Sequence, residues 1–379
     1  MAGCKVFLSP KQRFAAAALL AVLLGIAWRS IAGPIVAPAL LIAAVLSGSG
    51  VRAFAVAAVY FLTGSAGIPR GAAVFFGPHH LMLGTLLWLA SASLLATPYG
   101  WIKAGRWWAP PVALLAGALP PLGLFGWLSP LTAAGAWYPG LGFLGLGLLL
   151  GFSIAIAQSA AVPATGLLVV AMVSNLLYTA PSPPAGWQGV NTHAGPPTAV
   201  TSFLHGCALW ANIARRTPAT TFVLPEDAAG HWWPGTADCY RTATPPGTRL
   251  LVGAVLQPRP DQKQDVVLLV QAGRVEATSA MVFPVPIAMW HPWSASSYEA
   301  VWWPQPLRDV GRERVVPLIC YDQLLPWVWM EAAWESPTLI VALANDWWAA
   351  GTGLTNVQRV SVWAWARLLD VPVISARNT

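Results

Sequence analysis

No aspartate or glutamate occurs before Glu226; all 14 carboxylates of this 379-residue chain lie at or beyond that position. Over the first 180 residues the only charges are eight cations, Lys5, Lys11, Arg13, Arg29, Arg52, Arg70, Lys103 and Arg106, separated by long apolar runs. A stretch with so little charge cannot keep a folded surface in water, and it predicts a helical membrane region followed by a wetter domain. The whole chain is 9% charged, far below the roughly 25% of soluble globular proteins. That excludes an ordinary soluble enzyme and a disordered chain. The same deficit of charge argues against a direct nucleic-acid partner despite the net charge of +7.

A helix needs about 20 apolar residues to cross the hydrocarbon core. Seven candidate spans are read, at residues 13–29, 33–48, 51–67, 81–100, 107–128, 137–158 and 161–180. The second and third are short and closely spaced, and the fifth contains Pro110, Pro111, Pro120 and Pro121. Trp101, Trp107, Trp108, Trp127 and Trp137 cluster at predicted span ends, where amphipathic rings favour the headgroup layer. With the N-terminus inside, six of the eight cations fall on cytoplasmic segments, so the N-terminus is expected in the cytoplasm. Seven crossings then put everything after Ala180 on the external face of a bacterial inner membrane; an even number reverses this. The first span is read as retained rather than cleaved, because further apolar spans follow it. Cys4 is read as an incidental thiol, and His79 and His80 as an interfacial pair rather than metal ligands.

Residues 1–180 are thus assigned to the membrane bundle, 181–186 to a Pro/Gly linker and 187–379 to a second domain. There apolar strand-like runs alternate with helical ones: strands at 187–191, 220–224, 250–256, 266–270, 315–319, 338–343 and 371–375, and helices at 201–215, 324–335 and 356–369. This texture predicts a layered α/β domain. Cys207 and Cys239 are able to pair if the domain faces an oxidising compartment. No CxxC pair, zinc-binding helix or phosphate-cradling glycine loop occurs, so neither cofactor nor metal is expected.

Two segments could carry chemistry. Phe222–Asp227 sets Glu226 and Asp227 just after an apolar strand, which suits either a site or a turn with solvated acids. Val315–Asp322 sets Cys320 at the end of an apolar strand, which suits either an activated thiol or a buried structural cysteine. Together with Asn345-Asp346-Trp347, Ala366-Arg367 and Val373–Asn378, these segments follow the order of motifs in the nitrilase superfamily. The preceding bundle makes the chain resemble its apolipoprotein N-acyltransferase branch. Gly64–Pro69, Phe75-Phe76-Gly77, Pro284–Trp290 and Pro292-Trp293 resemble conjugal transfer proteins related to that acyltransferase.

The resemblance implies an αββα sandwich and a Glu-Lys-Cys site. Glu226 would be the base and Cys320 the nucleophile that carries an acyl group as a thioester. Asp322 stands where the family has a glutamate, and Asn345 is a possible supporting residue. A membrane phospholipid is implied as acyl donor, with a protein acceptor or other conjugation proteins as partners. The family lysine is replaced by Ser279; Lys263 is expected in a polar hairpin turn, and Arg274 is the candidate substitute. The family also continues beyond the equivalent of Thr379, so the second domain is expected to be incomplete at its C-terminus. Loss of the lysine equally suits a catalytically inactive membrane component of a conjugation system.

Overall fold

The computed structural model describes residues 9–195, 199–216, 219–259, 262–271 and 274–379, so Cys4 and Lys5 lie outside the described residues. The chain divides into two compact units, residues 1–178 with 351–369, and residues 179–350 with 370–379.

The first unit is helical. Its first helix, Pro10–Ala27, is opened by a capping box in which Ser9 and Gln12 satisfy each other's backbone amides. This helix and the helical stretch Pro78–Trp101 are each long and apolar enough to cross a membrane. Only 22% and 33% of their apolar windows are buried, so most of that surface faces outward, as lipid contact requires. Counting the bent pairs Gly50–Gly64 with Ile68–Phe76, and Pro130–Trp137 with Gly142–Ala157, gives up to four spans among the described residues.

Seven spans are therefore not reproduced. The expected span at 33–48 is two short helices, Ala32–Val36 and Ala39–Leu46. The span at 107–128 ends its helix at Ala118, after which the backbone turns through Leu122–Phe125. Runs of apolar residues specify insolubility in water but not helix continuity, which the Ala37-Pro38 and Pro120-Pro121 pairs interrupt. Inside the unit, polar atoms are paired in a chain. The Trp28 indole donates to the Tyr60 hydroxyl (2.6 Å), which donates to the Leu128 carbonyl (2.8 Å).

Helix Leu354–Leu369, expected in the second domain, packs with this helical unit. Gly135 lets the Ala364 backbone approach closely, and Arg367 donates to Asn175 Oδ1 at 2.7 Å.

The second unit holds two sheets. The first has strands β1 (Trp187–Gly189), β2 (Thr221–Val223), β3 (Arg249–Arg259), β4 (Gln262–Gln271) and β5 (Arg274–Ala280), in that spatial order. β1, β2 and β3 run parallel, and β3, β4 and β5 are antiparallel neighbours. The second sheet orders β6 (Leu307–Val310), β7 (Glu313–Ile319), β8 (Leu339–Asn345) and β9 (Val373–Asn378), the last three parallel.

Successive residues of a strand face opposite sides. Leu250, Val252, Ala254, Val266, Leu268, Val270 and Ala280 form one face of the first sheet, packed on Trp210 and Tyr240. Those two side chains project from helices Ala199–Arg216 and Pro234–Ala243. The same two helices are joined by a Cys207–Cys239 disulfide. The opposite face, with Leu251, Asp265, Val267, Leu269 and Ser279, is also buried, and β4 packs against β7 of the second sheet. A strand buried on both faces explains why β3 and β4 read as continuous apolar runs.

The C-terminal strand is not left bare. Thr192 bridges Asn378, its amide donating to the Arg377 carbonyl at 2.8 Å.

Candidate active site

Glu226 follows β2 and is only 6% exposed. Its loop lies over β3 because residue 253 is glycine: a Cβ there would stand 2.5 Å from the Glu226 Cα. The Glu226 carboxylate accepts the Asn345 amide at 2.7 Å, from the end of β8, and hydrogen bonds to the side chains of Asp265 and Cys320. Three strands of the two sheets thus converge on one carboxylate.

Cys320 follows β7 and opens the turn Cys320–Leu324 with φ of 45°, a left-handed conformation that costs a non-glycine residue roughly 1–3 kcal/mol. Asp322 explains how that bend is held. Fully buried, its carboxylate accepts the Ile319 amide (3.2 Å), the Val282 amide (3.1 Å) and the Phe283 amide (3.0 Å). Asp322 therefore braces the cysteine bend and ties it to the segment after β5. Gln323 donates across to the Leu343 carbonyl of β8 at 2.6 Å.

Asn345 contributes through its backbone; its side-chain oxygen accepts from Asn378 at 2.8 Å. Next to it, Asp346 pairs with Arg377 at 2.6 Å, both side chains being largely buried.

Burial dominates the electrostatics. It pushes Glu226 up to about 7, against the hydrogen bonds from Asp265, Cys320 and Asn345, and pushes Asp227 up to about 7. Asp322 is also raised to about 7 by burial, opposed by its three backbone donors. The Cys320 thiol is held well above its ordinary value by burial first, then by the charges of Glu226 and Asp346. A resting thiol next to a carboxylate near neutrality is an arrangement for general-base attack, in which the proton leaves the sulfur as the new bond forms.

Of the remaining candidates, Ser279 lies on the inter-sheet face, 1% exposed, with an Oγ that has no hydrogen-bond partner among the described residues. Register pairs it with Val267, two residues along β4 from Asp265. Arg274 is not brought to the site: it is exposed at the start of β5, about 16 Å along the strand from Ser279. Lys263 sits in β4 rather than in the hairpin turn, half-buried, and its charge adds to burial in lowering His231.

Asp265 was missed. It is 3% exposed, hydrogen-bonded to Glu226, and lifted well above the ordinary carboxylate range by burial and by the Glu226 charge. Its one signal in sequence is an acid immediately before the apolar run Val266–Val270.

Beside the bend, Phe283 packs with Trp290, Trp302 and Trp327 at ring separations of 5.0–6.1 Å. Trp302 is 45% exposed and Ile287 41%, so the aromatic wall reaches the surface.

No family model matches the chain. Among solved structures it is similar to a mutant amidase of the nitrilase superfamily from Nesterenkonia AN1, at 16% identity and a TM-score of 0.32. The similarity covers 42% of this chain and 63% of that one, less than two thirds of its length. A glutamine-dependent NAD+ synthetase from Acinetobacter baumannii matches at 12% identity and a TM-score of 0.32, over 42% of this chain and 31% of that chain. The sequence relatives extend much further. The chain is 34% identical to the conjugal transfer protein TraB of Agrobacterium fabrum, over 88% of its own length and 85% of the relative's. It is likewise 34% identical to the probable conjugal transfer protein TraB of Sinorhizobium fredii, over 86% and 87% of the two chains. At that identity and coverage, the chain belongs to the TraB family of conjugal transfer proteins.

Proposed function

We propose that this chain is a membrane-bound acyltransferase of the nitrilase type that serves conjugal transfer, with Cys320 as nucleophile and Glu226 as general base. The observation that carries the reading is the Cys320–Glu226 hydrogen bond at the ends of two buried strands, with the Asn345 amide fixing the carboxylate. Glu226 takes the thiol proton as sulfur attacks an ester carbonyl. The C–S bond forms and the C–O bond breaks, and the proton passes to the departing alkoxide. An amine then attacks the thioester, giving its proton to Glu226, and Cys320 leaves as a thiolate that recovers that proton. A phospholipid as donor suits the aromatic wall of Phe283, Trp290 and Trp302, and a protein of the conjugation apparatus is the acceptor. With the N-terminus cytoplasmic, an odd number of crossings puts the second unit in the periplasm, and the Cys207–Cys239 disulfide, which belongs to an oxidising compartment, supports that placement.

The second reading is a catalytically inactive membrane component of the conjugation system. It is favoured by Ser279, which stands where the related acyltransferases have a lysine. Intact-mass measurement of the purified protein with phospholipid separates the two. A hydroxylamine-labile adduct of one acyl chain, absent in Cys320→Ala and forming faster as pH rises through about 7, supports the enzyme. An unmodified wild type under matched conditions refutes it.

A further inference from the structure

The partners of Glu226 are unusual for a base expected to be ionised: a second carboxyl group, a thiol and one backbone amide. Two adjacent buried carboxyl groups cannot both ionise cheaply, so the pair holds a proton. The geometry says on which member it rests. Glu226 receives the Asn345 amide and the Cys320 thiol in addition to Asp265, so a charge there is well solvated by donors. Asp265 has no comparable support; its Oδ1 is buried without a hydrogen-bond partner among the described residues. Charge settles on the oxygen set with more donors, and the proton on the other.

We propose that Glu226 and Asp265 form a one-proton carboxyl pair in which neutral Asp265 donates to Glu226 and keeps it in the ionised form that accepts the Cys320 proton. Asp265 is a positioning residue: it does at this site, as a neutral acid, part of what a cation would otherwise do. The inference extends the assignment of Glu226 as base and Cys320 as nucleophile. The groups facing the pair agree with it. Asp227 beside Glu226, Asp322 after β7 and Tyr298 beyond β5 face the same region, and burial first of all lifts the Tyr298 phenol. Asp346 is neutralised by Arg377. Lys263, on the same strand as Asp265, is the nearest lysine in sequence.

The test is the pH dependence of Cys320 alkylation by iodoacetamide in the full-length, detergent-solubilised protein, with Cys4→Ser and the disulfide intact. It needs no acyl donor, so a failure of acyl transfer and a failure of the carboxyl pair are read separately. Asp265→Ala should slow alkylation at pH 7 about tenfold, since one donor to a charged group is lost. Asp265→Asn, which still donates to Glu226, should stay within about twofold of wild type at pH 7. In Glu226→Gln, neither substitution should change the rate further. If both variants follow the wild-type profile, if Asn falls with Ala, or if Lys263→Met reproduces the Ala effect, the pair is refuted. Tryptophan fluorescence melts of each variant identify a loss of fold, and for a variant that unfolds the Asn-to-wild-type comparison decides.

Discussion

At Asp322, one side chain holds three backbone amides from two segments far apart in sequence, Ile319 and the pair Val282–Phe283. Both carboxylate oxygens accept, so an amide in their place must turn an NH2 group toward an N–H donor. Asp322→Asn should therefore cost about 1–3 kcal/mol, measured as a lower denaturation midpoint. It should also loosen the bend that holds Cys320 at positive φ, so that Cys320 is alkylated faster than in the wild type. A midpoint equal to wild type would show that the brace is not needed. Residues of this kind divide by how they reach the site. Glu226 and Cys320 are legible in the sequence only together: each ends an apolar strand, which alone also suits a turn or a buried thiol, and the order of motifs around them singles them out. Asp265 was not legible. It sits among Gln262, Lys263 and Gln264 and looks like a solvated hairpin charge until β5 and the second sheet cover it.

Among elements, the end of the second sheet carries the largest polar investment. Asn378 on β9 satisfies all of its side chain: its oxygen accepts from Thr192 and the Ala194 amide, and its nitrogen donates to Gly195 and Asn345. One residue earlier, Arg377 neutralises Asp346, whose side chain is 5% exposed. Removing only the cation leaves an uncompensated buried charge, so Arg377→Met should destabilise the second unit by about 3–5 kcal/mol. Adding Asp346→Leu should recover most of that loss, since the pair itself gains little over apolar packing. A double variant as unstable as the single one would show that the pair's hydrogen bonds, not its charge balance, hold β8 to β9. Strands buried on both faces, β3, β4, β7 and β8, were readable as apolar runs. β5 was not: Arg-Val-Glu-Ala-Thr-Ser-Ala has no apolar alternation, because its outer end is exposed and only its last two residues are buried. In the helical unit the apolar texture was readable and the breaks were not, because a glycine or proline between apolar helices leaves the composition unchanged.

For the molecule as a whole, the late appearance of acids concentrates charge cost in one place. Glu226, Asp227 and Asp265 share the region around Cys320, and burial raises all three above their ordinary values. A carboxyl raised in the folded state binds its proton more tightly there than in the unfolded chain, where it lets go near pH 4. Its contribution to stability is complete below that pH and is lost as pH rises through the folded value, about 7 for Glu226 and Asp227. The second unit should thus lose stability between pH 5 and pH 8, by a few kcal/mol in all. Proteins whose acids are salt-bridged behave the opposite way, because their carboxyl values are depressed. The Asp346–Arg377 pair does not reverse the slope, since burial still leaves Asp346 raised. Tryptophan-fluorescence melts of the detergent-solubilised protein, with the Cys207–Cys239 disulfide kept oxidised, report the effect directly, and the midpoint should be lower at pH 8 than at pH 5. Asp265→Asn removes one of the three acids without removing its hydrogen bond to Glu226, and should flatten that dependence. A midpoint that climbs toward pH 8 would mean that these carboxyls are ionised and paired in the folded protein, and the one-proton pair would fall with them.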